Sequence, residues 1–228
     1  PGFDERPWVR AVVARTRSLS HVVVPDGHDV WTAFDRSARQ QAGRGVRMKK
    51  LTVRPTGVER TFDNGELIVS KTDRKGIITY ANELFCRLAG FPEEEIIGQP
   101  HNLVRHPDMP RVIFKTLWDT IGAGKEIFAY VVNLAADGSH YWVLAHVTPS
   151  FGDTREIIGY HSNRRRPDPA AVAAISPLYA ALCAEERRHS NSATALAAST
   201  AMLDAHLAER GSSYEELVWS VTPVEASR

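Results

Sequence analysis

Between Gly98 and Pro110 the chain places His101, Arg105, His106 and Asp108 within eight residues of one another. A guanidinium offers a rigid fork of hydrogen-bond donors, an imidazole titrates near neutral pH, and a carboxylate orients either one. Taken alone, Arg105, His106 and Asp108 read as the salt bridges of a braced loop. His101 and His106 stand five apart with no cysteine or third histidine beside them, so the spacing does not suit zinc. Pro107 and Pro110 hold the segment out of helix and fix where its side chains point. No phosphate-cradling loop, nucleophile elbow or metal-ligand helix occurs elsewhere in the sequence, and the chain is not expected to be an enzyme.

The elements that would position this segment are legible around it. Leu67–Val69 and Ile77–Tyr80 flank the turn Thr72–Gly76 and predict a hairpin. Asn82 is a good N-cap for a helix carrying Leu84, Phe85 and Leu88 that stops at Gly90. Glu93–Glu95 open a short helical turn after Pro92. Residues 98–110 read as irregular, and Arg111–Ile121 as a helix with Val112, Phe114, Leu117, Trp118 and Ile121 apolar. Three strands follow at Ile127–Asn133, His140–Thr148 and Ile157–Asn163, the first two joined through Asp137-Gly138. The pattern predicts an α+β fold, a five-stranded antiparallel sheet with short helices on one face.

Charge divides the chain. It carries 28 Lys+Arg against 27 Asp+Glu, net +1, so no global field draws it to nucleic acid or an anionic membrane. Residues 1–50 hold ten basic against five acidic residues and lack periodicity. They read as a poorly structured basic extension, and Met48 is the expected true start. Residues 51–65 form a lead-in, 66–166 the sheet domain. Residues 167–228 form a helical extension opened by Asp168-Pro169, with a kink expected at Pro177. Its apolar stripes need a partner surface. They either pack on the sheet domain and each other or pair two copies of the chain. No apolar run approaches the ~20 residues of a membrane span. The two cysteines, Cys86 and Cys183, lie far apart and suggest a reducing cytoplasm.

The order of elements from Glu66 to Arg166 resembles a PAS domain. The run Gly98-Gln99-Pro100-His101-Asn102-Leu103-Val104-Arg105-His106-Pro107-Asp108-Met109-Pro110 is similar to the signature of the aerotaxis-receptor branch of that family. His140–Val143 and Ile77–Asn82 match it as well, and the tail from Ile175 resembles the helical extension of stand-alone bacterial members. The resemblance implies a sensor of redox or oxygen that binds FAD non-covalently and signals through a partner such as a chemoreceptor or kinase. It assigns Arg105, His106 and Asp108 to flavin binding, with Asn82, Trp118 and Trp142 beside them. Trp118, Trp142, Phe114 and Tyr141 would supply the flat apolar surface such a ring needs. Asn133 is followed by Leu134-Ala135-Ala136, where the branch often carries basic residues, which puts a phosphate contact there in doubt. No cysteine lies in Pro100–His106, so light-driven adduct chemistry is not expected. Haem is the rival cofactor, with His106, His140, His146 or His161 as its ligand, although the absence of CxxCH excludes covalent haem. A cofactor-free docking module is the third reading.

Overall fold

The computed structural model describes residues 53–223. The basic extension, the expected start at Met48 and the first two residues of the lead-in lie outside the described residues.

Strands β1 (Ile68–Asp73) and β2 (Ile78–Ala81) form the first hairpin. The Asp73 carboxylate closes its turn, accepting from the backbone N–H of Lys75 at 2.8 Å and of Ile77 at 2.9 Å. Helix α1 (Glu83–Ala89) starts at Asn82, whose side chain accepts from Phe85 N–H, and ends where Gly90 turns left-handed. Helix α2 (Glu93–Ile96) follows. The segment expected to be irregular contains one turn of 3₁₀ helix, His101–Val104. It stops because Arg105 bridges the edge of the sheet at Asn133 and Pro107 forces His106 out of the helical region. Helix α3 (Arg111–Gly122) then turns Val112, Ile113, Leu117 and Ile121 inward.

Strands β3 (Ile127–Leu134), β4 (His140–Phe151) and β5 (Ile157–Arg165) complete an antiparallel sheet of order β2-β1-β5-β4-β3. The turn between β3 and β4 demands its glycine twice over. Gly138 has φ 86°, and a Cβ there would meet the Arg54 carbonyl at 2.4 Å. That contact exists because the lead-in runs along the hairpin, with Thr56 N–H donating to Gly138 O and Arg60 N–H to His140 O.

Three helices follow the sheet, α4 (Pro169–Arg187), α5 (Ser192–Glu209) and α6 (Tyr214–Val221). Helix α4 continues past Pro177. A capping box of Ser213 and Glu216 opens α6. Strand alternation explains their place. Ile127, Ala129, Val131 and Asn133 of β3 face α3, whereas Phe128, Tyr130 and Val132 face the other way. The tail covers that second face. Trp219 packs on Phe128 at 4.7 Å between ring centroids, and Tyr179 hydrogen-bonds the Tyr130 carbonyl at 2.9 Å. The five-stranded antiparallel sheet with its short helices is as expected, and the C-terminal extension covers the other side of the β3–β4 half. Each fully buried large side chain there contributes about 1.5–3 kcal/mol.

Candidate functional site

Between the sheet and α3 lies a cavity of about 100 Å³, small beside the roughly 300–1,000 Å³ of a typical cofactor pocket. Its sheet wall consists of alternate residues from four strands: Ser70 and Thr72 of β1, Val131 and Asn133 of β3, Ala145 and Val147 of β4, and Tyr160, Ser162 and Arg164 of β5. Its opposite wall is Phe114, Leu117, Trp118 and Ile121 of α3, and the 3₁₀ turn adds His101, Asn102 and Arg105. Trp118 stands edge-on to Tyr160 with ring centroids 5.4 Å apart. The Arg105 guanidinium lies over the Phe114 ring, 4.6 Å from its centroid.

The polar side of the cavity is short of acceptors. Arg164 is 2% exposed, and its guanidinium lies 4.6 Å from the Phe85 ring centroid. It donates to Ser70 Oγ, whose hydroxyl also meets His101 Nε2 at 3.2 Å. Burial, reinforced by the Arg164 charge, pushes the His101 pKa down to about 3, so this ring is neutral. Arg164 Nε and Nη1 and Asn133 Nδ2 are buried without a hydrogen-bond partner among the described residues. An apolar slot with aromatic walls and spare donors fits a flat ring whose edge carries carbonyl acceptors, which is the chemistry of a flavin.

Of the six residues that the sequence resemblance assigned to a cofactor, Arg105 and Trp118 line this cavity and four do not. Asn82 is used by the fold: Oδ1 accepts from Val69 and Phe85 N–H, and Nδ2 donates to Leu67 O. His106 is buried beside the loop, its Nδ1 accepting from Asp108 N–H at 3.1 Å. Burial holds its pKa below the ordinary histidine value despite the Asp108 carboxylate 3.9 Å away. Asp108 points outward and pairs with Arg187 at the end of α4. Trp142 alternates to the far face of the sheet, where it meets Tyr179 with centroids 6.2 Å apart. None of the four candidate haem histidines lines the cavity. His146, for one, stacks on Phe128 and bonds Glu126 at 2.7 Å.

The residues the sequence did not single out are Ser70, Tyr160, Ser162 and Arg164. In the sequence Arg164 stands in a run of three arginines, Arg164–Arg166, at the edge of the domain, where a solvated linker is the ordinary expectation. The signal that marks it is parity: with Tyr160 on the inner face of β5, residues 162 and 164 follow it.

The loop after Arg105 also reaches the tail. Arg111 bonds Ser192 Oγ at 2.6 Å, Glu186 accepts from Val112 N–H at 3.2 Å, and the Cys183 thiol donates to Asp108 O at 3.2 Å.

Comparison with known proteins bears on residues in and around this site. The family model described as the PAS fold matches residues 58–162. The aerotaxis receptor of Escherichia coli (strain K12) is 42% identical over 115 residues, 50% of this chain and 22% of the receptor. The nitrogen fixation regulatory protein of Klebsiella pneumoniae is 29% identical over 103 residues, 45% of this chain and 21% of that protein. The chain thus spans about a fifth of the length of these curated relatives. Among solved structures, the PAS domain of a protein from Colwellia psychrerythraea is 23% identical, covering 44% of this chain and 85% of that one, with a TM-score of 0.41. Sheet order, the 98–110 loop and the identity to the aerotaxis receptor fall on one span, and residues 58–162 are a PAS domain of the aerotaxis-receptor-like branch.

Proposed function

We propose that the chain is a cytoplasmic sensor of redox or oxygen status that binds FAD non-covalently between the sheet and α3 and signals through a partner such as a chemoreceptor or kinase. The observation that carries this reading is the cavity itself: Trp118, Phe114 and Tyr160 supply flat apolar walls, Arg105 stands at the loop side, and unpartnered donors remain on the sheet side. When bound, the flavin would supply a group whose charge and hydrogen-bonding pattern change on reduction. The chain's own residues would do the rest. Trp118 and Phe114 would flank the ring from the α3 wall, opposite Tyr160, and Arg105 would hold a polar edge or a phosphate. Because the cavity is small, Arg105 and Trp118, both half-buried, would swing outward to admit the ring. Movement of Arg105 would pull on the loop that carries Asp108, Arg111 and Val112, and so on α4 and α5, which hold that loop.

The test is an absorbance spectrum of the purified chain in air and after reduction. Paired near-ultraviolet and blue bands that bleach on reduction are expected. A single intense Soret band would replace FAD with haem, and a chain that stays colourless after incubation with both would leave a docking module.

A further inference from the structure

Arg164 is the least economical residue in the domain. A buried guanidinium normally meets a carboxylate, because an uncompensated charge in a low-dielectric interior is costly. Arg164 is 2% exposed, and among the described residues no carboxylate pairs with it. Burial lowers its pKa to about 10, so it keeps its proton at neutral pH. Among the described residues the one hydrogen bond of its guanidinium is to Ser70 Oγ, and its Nε and Nη1 have none. Asn133, 4% exposed on the same wall, leaves its Nδ2 unpaired, and the buried Tyr141 hydroxyl, within reach of the Arg164 charge, is unpaired too. A brace for the sheet would not need this. An apolar side chain of similar length would pack on Phe85 without the desolvation cost. A guanidinium with two unused nitrogens and an amide N–H, both on residues that line one cavity, are explained by an acceptor that enters from outside.

We propose that Arg164, assisted by Asn133, binds the acceptor-bearing edge of a flat ligand that is anionic or carries paired carbonyls. The inference rests on the FAD reading, in which that edge is the dioxopyrimidine of the ring. Arg105 holds the ligand from the loop and Arg164 from the sheet, so the two arginines have separate tasks.

The experiment titrates the full-length apoprotein and its Arg164→Met variant with FAD and with riboflavin, following flavin fluorescence, and melts both apoproteins. Removal of a charge-assisted pair should raise the Kd for both flavins about tenfold to a hundredfold. The melting temperature of apo R164M should match or exceed that of the wild type. An unchanged Kd in R164M overturns the inference and leaves the FAD reading standing. Weakened FAD binding with unchanged riboflavin binding makes Arg164 a phosphate contact and overturns the edge assignment. A lower melting temperature for apo R164M makes it a structural brace, which also overturns it. Wild-type protein that binds neither flavin overturns the FAD reading first, and the inference with it.

Discussion

A short chain of hydroxyls helps dock the helical tail, and its energetics follow from counting protons. The Tyr179 hydroxyl, 2% exposed, donates its only proton to the Tyr130 carbonyl at 2.9 Å. Its contact with the Tyr214 hydroxyl, also 2.9 Å, must then be donated by Tyr214. Tyr179→Phe strands a buried donor on Tyr214 and removes a donor from a strand carbonyl, a cost of about 2 kcal/mol. Tyr214→Phe removes only a donor to Tyr179, which keeps its bond to Tyr130, and costs about 1 kcal/mol or less. In Y179F/Y214F no hydroxyl is stranded, so the double variant should be no less stable than Y179F alone. Urea denaturation of all four proteins measures the cycle. For a chain of this size the Y179F loss corresponds to a fall in melting temperature of about 4–8 °C. Amide exchange should place the loosening in α6 and the adjoining part of β3. Additive losses, or a Y214F variant less stable than Y179F, would refute the proton assignment.

Three further outcomes are expected. Arg105→Ala should weaken FAD binding about tenfold or more, whereas Asp108→Asn should leave it within about twofold and cost less than about 1 kcal/mol of stability, since its partner Arg187 is exposed; fluorescence titration and urea melts decide both. His101 is held neutral to about pH 3 in the fold but protonates near 6.5 when unfolded, so the unfolded chain binds the extra proton and stability falls as pH drops from 6.5 toward 3, by up to about 1.4 kcal/mol per pH unit; melting curves of wild type and His101→Gln across pH 7 to 4 should diverge, with the variant showing the shallower slope. Gly138→Ala should cost at least about 2 kcal/mol, because a left-handed φ and the Arg54 carbonyl both oppose a Cβ; a melting temperature equal to wild type would show that the lead-in yields instead.

Local signals account for what was legible in the sequence. Asp137-Gly138, the Asn82 cap, Gly90, Pro110 and the Asp168-Pro169 start each act over a few residues, and each lies at an element boundary in the structure. The site depended on longer-range facts. Trp142 and Val143 are neighbours in sequence on opposite faces of β4, and only the pairing Val132↔Trp142 decides which face meets α3. Asn82 has one side chain and two conceivable tasks, and its three hydrogen bonds to the fold settle which one the backbone claims. Arg164, Arg165 and Arg166 look alike as a run, yet the pairing Ser70↔Ser162 and Ala145↔Arg164 sends the first of them inward. Asp108 sits beside His106, but the chain reverses there and delivers its carboxylate to a helix some 80 residues later.

The cover that α4 and α6 place over β3 and β4 bears on how such a sensor is moved between proteins. Phe128, Tyr130 and Leu144 are almost completely shielded, and part of the shield is Tyr179, Trp219 and Thr222. A sensory unit excised at Arg166 would lose those partners and present a greasy aromatic face, together with unmet hydroxyls, to water. Transplanting this sensor onto a foreign output therefore means carrying Pro169–Val221 along as part of the cassette, or supplying a new apolar lid. The packing that such a transfer must preserve extends to helix α6, well beyond the last strand of the sheet.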